Sequence, residues 1–592
     1  GKGALGSNTT ANYNTAVGQE ALGANTTGTL NVAVGAFALY DNTTGNNNIA
    51  QGYHALGNNT TGSNNTAIGQ EALVGNTTGT QNVAVGSLAL DAATTAHSNT
   101  AVGYNSLGDN TTGAENVALG MQALQDNTTA SNNTAIGTQA LRLNTTGGSN
   151  AAVGAASLDA NTTGASNTSV GAYSLGANTT ANNNTAVGYT ALQVNTTGTQ
   201  NVAVGANALV ANTTANNNTA VGFEALKANT TGTVNTAIGT QALYTNTTAS
   251  YNTAVGTGAL YTSTGEKNTA IGYYALVSNT TANYNTAMGH SALGANTTGA
   301  NNTAIGYIAL DANTTAEKNV AIGSGALTSN TTASENVAVG YYALSTNSTG
   351  ANNTAIGTQA LHLNTTGSSN VAVGRFALDA NTTANNNTAV GFETLTANTT
   401  GVNNTAVGFQ AMDNLTGGDY NVAIGSDACE GQTSATGSAA VGYFALGRNN
   451  GNYNTALGYG AGPFVSSGGN NTLLGMDAGT SGSPSGQVST GSNIICLGNN
   501  SISDLYCADT SISSSDKRDK TDVADFTNGL NWINQLKPVT YRWDKRTWYD
   551  DKTPDGSKKR NKKHIGFLAQ DVLAVEGNPT NKDDMLVVNL NE

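Results

Sequence analysis

The sequence predicts an all-β repeat protein, a parallel β-solenoid or β-roll, over most of its 592 residues. Three observations carry that prediction. A 17-residue unit, N-[TV]-A-[VI]-G-x-x-A-L-x-x-N-T-T-[GA]-x-x, recurs through the chain. The apolar runs inside each unit are too short for a helix. The Asn, Thr and Gly between them are poor helix formers and good turn formers. A fixed period of this size means units stacked one on the next.

The period is read from the glycine of N-T-A-V-G, at Gly18, Gly35, Gly52, Gly69 and Gly86. It holds to Gly256, slips by one residue at Gly272 and resumes to Gly442. Looser copies end at Gly458, Gly475 and Gly498, which makes 29 such glycines in all. Within one unit, Thr15-Ala16-Val17 is a β-prone run stopped by Gly18. Ala21-Leu22 is a second short apolar piece, and Asn25-Thr26-Thr27-Gly28 is turn chemistry. Two short strands and two turns per coil are expected. A glycine in every copy at the bend implies positive φ, or a contact too close for a Cβ. The position of Gly28 is often alanine, as at Ala130 and Ala181, so that turn is not left-handed. Asn14, Asn31, Asn48, Asn65 and Asn82 should stack as a ladder of hydrogen-bonded amides that also cap backbone groups. Ala16 and Val17 are adjacent and point to opposite faces of a strand. One face fills the coil; the other needs a partner. A homo-oligomer is expected, a three-fold fibre foremost, and the argument also admits a dimer.

Composition supports a shaft and a separate tail. Only 9% of residues are charged and 6% aromatic, too few large side chains for an ordinary core. Through residue 510 there are 7 Lys/Arg against 22 Asp/Glu, and after it 14 against 13. All three tryptophans, Trp532, Trp543 and Trp548, fall in the tail, and no proline precedes Pro463. The shaft has no basic stripe, so no nucleic-acid partner is expected. Cys429, Cys496 and Cys507 make neither a disulfide framework nor a metal site. No apolar run reaches the roughly 18 residues of a membrane span, so no insertion is expected. No signal peptide is visible, and the chain opens inside a repeat, so an N-terminal part is expected to be missing.

Most other motifs read as structure. The N-T-T triplets match glycosylation sequons but recur because the turn recurs. Threonine ladders could order water as an ice-binding face does. Tyrosines after the bend glycine, at Tyr53, Tyr104, Tyr189, Tyr273, Tyr307 and Tyr341, could stack on sugars or cover neighbouring coils. His54, His97, His290 and His362 sit at unrelated positions and suggest no metal. The glycines lack the G-K-[ST] of a phosphate loop. No cofactor is expected, and the sparse charge argues against an enzyme with external substrates.

The tail is more specific. Ser515-Asp516-Lys517-Arg518-Asp519-Lys520 follows a polar linker. Gly529–Leu536 reads as a short amphipathic helix and Pro538–Trp543 as a strand. A Lys-rich excursion spans 544–563, and His564–Val572 reads as a strand passing into a helix. The order S-D-K-R-x-K, L-K-P-V-T-Y-R-W, G-F-L-A-Q-D-V resembles the self-cleaving intramolecular chaperone at the C-terminus of bacteriophage tailspikes and tail fibres. The upstream repeats resemble fibre shafts of marine phages and, more distantly, the β-roll heads of trimeric autotransporter adhesins.

That resemblance implies a trimeric shaft (1–500), a linker (501–514) and a small α+β chaperone domain (515–592). It implies a virion tail fibre that reaches a host-cell surface receptor, a glycan among the possibilities. It also implies one self-cleavage between Ser514 and Ser515, with Ser515 as nucleophile and Lys520 as its base. Asp519 stands where the family commonly has an aliphatic residue, a charge that favours protonated Lys520. The chain also ends before the final helical segment of such chaperones. The competing readings are a bacterial trimeric surface adhesin and an ice-binding solenoid.

Overall fold

In the computed structural model, the described residues are 1–504, 506, 534–542, 549–550 and 553–575. The chain forms two compact units, Gly1–Ser503 and Asp504–Glu592. Among the described residues of the first unit, 29 strands of three residues form one parallel sheet, from β1 (Thr15–Val17) to β29 (Ile495–Leu497). Each strand pairs in register with the next coil: Thr15 with Val32, Ala16 with Ala33, Val17 with Val34. This is the expected parallel β-solenoid.

The strand turns its middle residue inward. Ala33 is fully buried while Val32 and Val34 on either side stay exposed. The bend that follows needs glycine on both counts raised by the sequence. Gly18 has φ of 141°, and a Cβ there would collide with the carbonyl of Gly35 on the next coil. Gly28 has no such φ, and its alanine counterparts Ala130 and Ala181 are buried in the same place.

The expected second strand is absent. Ala21 and Leu22 are adjacent, yet both are fully buried. An extended strand would send one of them outward. The backbone instead reverses twice, with Glu20 at φ 55° and Leu22 at φ 53°. Its N–H groups still reach neighbouring coils: Leu22 donates to the Ala38 carbonyl at 3.0 Å, and Phe37 to that of Gln19 at 2.8 Å. A left-handed leucine costs about 1 kcal/mol or more, and burial of its side chain, worth roughly 2 kcal/mol, offsets it.

Two asparagine ladders hold the coils together. In the first, the Asn31 N–H donates to Asn14 Oδ1 at 2.9 Å, and Asn31 Nδ2 donates to the Gly45 carbonyl at 2.8 Å. The expected ladder therefore forms, mainly by capping backbone groups. The second lies in the N-T-T turn, whose sequence signals turn chemistry alone. Asn42 Nδ2 donates to Asn25 Oδ1 at 2.8 Å and to the Gly45 carbonyl at 3.1 Å. Threonines add an outer row, with Thr43 Oγ1 donating to the Thr60 carbonyl at 3.0 Å. Asn25, Asn31 and Asn42 are fully buried, so the sequon asparagines of the turn are structural.

The second ladder breaks where a coil lacks its asparagine. Asn76, Asn246 and Asn398 each have a buried Oδ1 without a donor. One period on stand Ala93, Ser263 and Leu415. Ala93→Asn should bridge Asn76 to Asn110, whose Nδ2 donates only to Gly113 at 2.9 Å. The expected gain is about 1 kcal/mol. It would be seen as a higher unfolding temperature and slower amide exchange across residues 76–110; a lower unfolding temperature would count against the ladder account.

Candidate functional site

The two residues expected to carry chemistry, Ser515 and Lys520, lie outside the described residues. Of the expected helix Gly529–Leu536, only 534–536 are described, with Asn534 and Gln535 in a turn. Downstream the expectations hold. β30 (Val539–Tyr541) pairs antiparallel with β31 (His564–Gly566), which sets Thr540 opposite Ile565. Helix α1 (Ala569–Val575) follows two residues later. Its first turn closes on the Leu568 carbonyl, which accepts from the N–H groups of Asp571 at 3.0 Å and Val572 at 3.1 Å. Val572 is buried. Asn534, Gln535 and Lys537 share an open groove with Asp571, Ala574 and Val575. The hairpin and helix thus bring together the segments on either side of the Lys-rich excursion.

On the shaft, surface chemistry sorts by position in the coil. The strand face carries two outward columns, mostly Thr or Val first and mostly Val or Ile third. The corner after the bend glycine carries the variable residues. Among the described residues no Phe, Tyr or Trp is buried, so the aromatics are all at the surface. Several stack along the shaft: Tyr273 on His290 at 5.1 Å, His290 against Tyr307 at 5.4 Å, Phe392 on Phe409 at 5.5 Å and Tyr443 on Tyr459 at 5.1 Å. These tyrosines rest on neighbouring coils and remain about half exposed.

The turn after the buried leucine, before the N-T-T segment, also gathers carboxylates. Asp91, Asp109 and Asp126 follow one another at about one period, and that spacing was the available signal. Burial, reinforced by repulsion from Asp109 and Glu71, pushes the Asp91 carboxyl up to about 6. Asp126 is raised by burial and then by Asp109. One coil further the charge is answered, where Arg142 Nε meets Asp159 at 3.0 Å. Among the described residues, no three His, Cys, Asp or Glu side chains are placed to hold a metal ion. Cys429 is a free, buried thiol pushed up to about 12 by burial, and so is inert as a nucleophile at neutral pH.

A carboxyl raised in the folded state binds its proton more tightly there than in the unfolded chain. Its stabilising contribution is present below the ordinary carboxylate range and is lost as pH rises towards 6. Asp91→Asn should therefore raise the unfolding temperature at pH 7 to 8 and flatten its dependence between about pH 4 and 6. Thermal unfolding monitored by circular dichroism across that range checks both, and a variant that melts lower at pH 8 would contradict the assignment.

Residues 515–580 match a peptidase family described as the chaperone of endosialidase. No curated protein matches the chain. The match covers the hairpin and helix described above, and it begins at Ser515. A β-solenoid followed by such a segment fits the architecture of a tailspike or tail fibre with a C-terminal chaperone.

Proposed function

We propose that the chain is a viral tail fibre: a trimeric solenoid shaft for attachment to a host-cell surface, assembled with the help of its C-terminal chaperone and then cut free of it. One observation carries the reading, namely that a repetitive shaft of 29 strands precedes a segment matching the chaperone of endosialidase. A shaft of stacked coils suits reach and display. A chaperone joined to its client suits a product that is hard to assemble. The finished fibre would be an extracellular part of a virion.

The cut is proposed between Ser514 and Ser515. The Ser515 hydroxyl attacks the preceding carbonyl, and Lys520 takes the hydroxyl proton. The amide C–N bond breaks, the Ser515 amine leaves with a proton, and the new ester is hydrolysed by water. Lys520 must be neutral to act, which burial or the neighbouring cations Lys517 and Arg518 would favour. Donors must also steady the developing oxyanion, and these belong to the folded tail, which couples cutting to assembly. The beginning of the family match at Ser515 supports this position. Ser515→Ala and Lys520→Ala should each leave an uncut chain, while Ser513→Ala should still cut. Mass spectrometry of the products decides, and a fragment that starts at any other residue would refute the assignment.

The strand face supports self-association. Neither outward column contains a single charged residue over 29 coils, and Gln51 is the only polar side chain in the third-position column. Yet the face is open: Val17 is 57% exposed and Leu457 53%. Folding of one chain does not require this restraint, but burial between chains does. At on the order of 50 Å² per residue the third-position column alone offers roughly 1,400 Å², enough for a specific interface. Val17, Val34 and Val85 all changed to Asp should split the oligomer or prevent its folding. Sedimentation checks this: a wild-type shaft that runs as a folded monomer, or a triple variant that assembles unchanged, would refute the proposal.

A further inference from the structure

The proposed cut makes no use of the Lys-rich excursion, which ends in a cationic groove. Pairing of Tyr541 with His564 makes Arg542 face Lys563 on the next rung of the hairpin. Both are exposed. Lys559 joins them, and with Thr540 and Tyr541 these cations line one open groove. Like charges directly opposite on neighbouring strands are destabilising. Among the described residues, no carboxylate is seen to pair with any of the three. Asp555, in the same loop, is committed to the Ser557 N–H at 2.9 Å. The loop is fastened rather than free to swing its charges apart: the Lys558 ammonium lies 5.1 Å from the Tyr549 ring, and the Lys558 backbone N–H donates to the Tyr549 hydroxyl at 2.8 Å.

The rung holds two cations opposite each other, with a third beside them, and no counter-charge among the described residues. We propose that the groove binds a single tetrahedral oxyanion, phosphate or sulfate, free or as the end group of an ester. Arg542 offers a planar fork suited to two oxygens, and Lys559 and Lys563 add point charges. The site spans one rung, so it fits one such group and not a long polymer. Binding would neutralise the rung and stabilise the tail by mass action. This inference stands on the hairpin alone, whatever the shaft does.

The intact chain can be titrated with inorganic phosphate at constant ionic strength, followed by phosphorus NMR line width. Saturable broadening is expected, with sulfate competing and acetate failing to compete. Phenyl phosphate as a further competitor separates an ester ligand from the free anion. Arg542→Gln should weaken binding about tenfold or more. Lys563→Glu should abolish it and, in phosphate-free buffer, raise the melting temperature of the tail. Tryptophan fluorescence reads that melting selectively, because every tryptophan lies in the tail. The proposal is overturned by any of three results: phosphate broadening no greater than that given by chloride, wild-type binding in both variants, or a lower tail melting temperature in Lys563→Glu.

Discussion

Every side chain in the shaft has its own counterpart as its nearest neighbour along the stack, and the rest of the structure depends on that constraint. The strands repeat at about 4.8 Å, so whatever stands at a position meets the same position one period on. Two like charges at that distance repel, whereas two amides can bond. The ladder positions are accordingly Asn and Thr, in which one group donates and another accepts, as when Asn42 donates to Asn25. The low charge of the chain follows from this rule. Where Asp91, Asp109 and Asp126 follow one another at about one period, repulsion adds to burial, the larger cause, in holding the Asp91 and Asp126 carboxyls above their ordinary range. Arg142 over Asp159 shows the remedy, opposite charges one period apart.

The coil is so narrow that its apolar core amounts to a strand alanine and an Ala-Leu pair. Stability therefore rests on hydrogen bonds between coils to an unusual degree, and buried amides must be satisfied or costly. Where core alanines give way to serine, the hydroxyls find each other: Ser157 meets Ser169 at 2.8 Å, and Ser169 meets Ser174 at 2.5 Å. Because each coil touches only its neighbours, such local defects stay local. A core this thin has no room for aromatic rings. Tyr and Phe are left to the surface, where the corner residues vary without disturbing the ladders.

Periodicity made the parallel stack, the bend glycine and the first asparagine ladder legible in the sequence, because each is a property of one position repeated. The second strand was misjudged for a physical reason. Ala21-Leu22 looks extended by composition, but burying two adjacent residues forces the left-handed turn at Leu22. The ladder in the N-T-T turn was hidden because asparagine suits an exposed turn as well as a buried one, and only the closed coil distinguishes them. In the tail, the strand at Pro538–Trp543 and the strand-to-helix passage at His564–Val572 were readable from local pattern, and both appear. The pairing of β30 with β31 was not, since it joins segments more than twenty residues apart. Ser515 and Lys520 remain assigned by motif and resemblance, because their arrangement depends on residues outside those described.

Near-identical coils also create a difficulty that the tail is suited to resolve. Parallel copies of such a shaft can slip by one period and lose only the contacts of one coil, because the outward columns read alike at every step. Register between chains therefore has to come from features that break the repeat. The shaft holds a few: the 16-residue spacings that end at Gly272 and Gly458, and the longer coil between Gly475 and Gly498. These sit far apart or near one end. A non-repetitive segment that follows the last coil in sequence would, in the proposed fibre, align the chain ends before the stack grows. In the proposed oligomer, columns buried against each other in register could slip only by uncovering every coil at once, and the aligning unit would no longer be needed. The proposed removal after assembly would then follow from the same periodicity that makes the unit useful at the start.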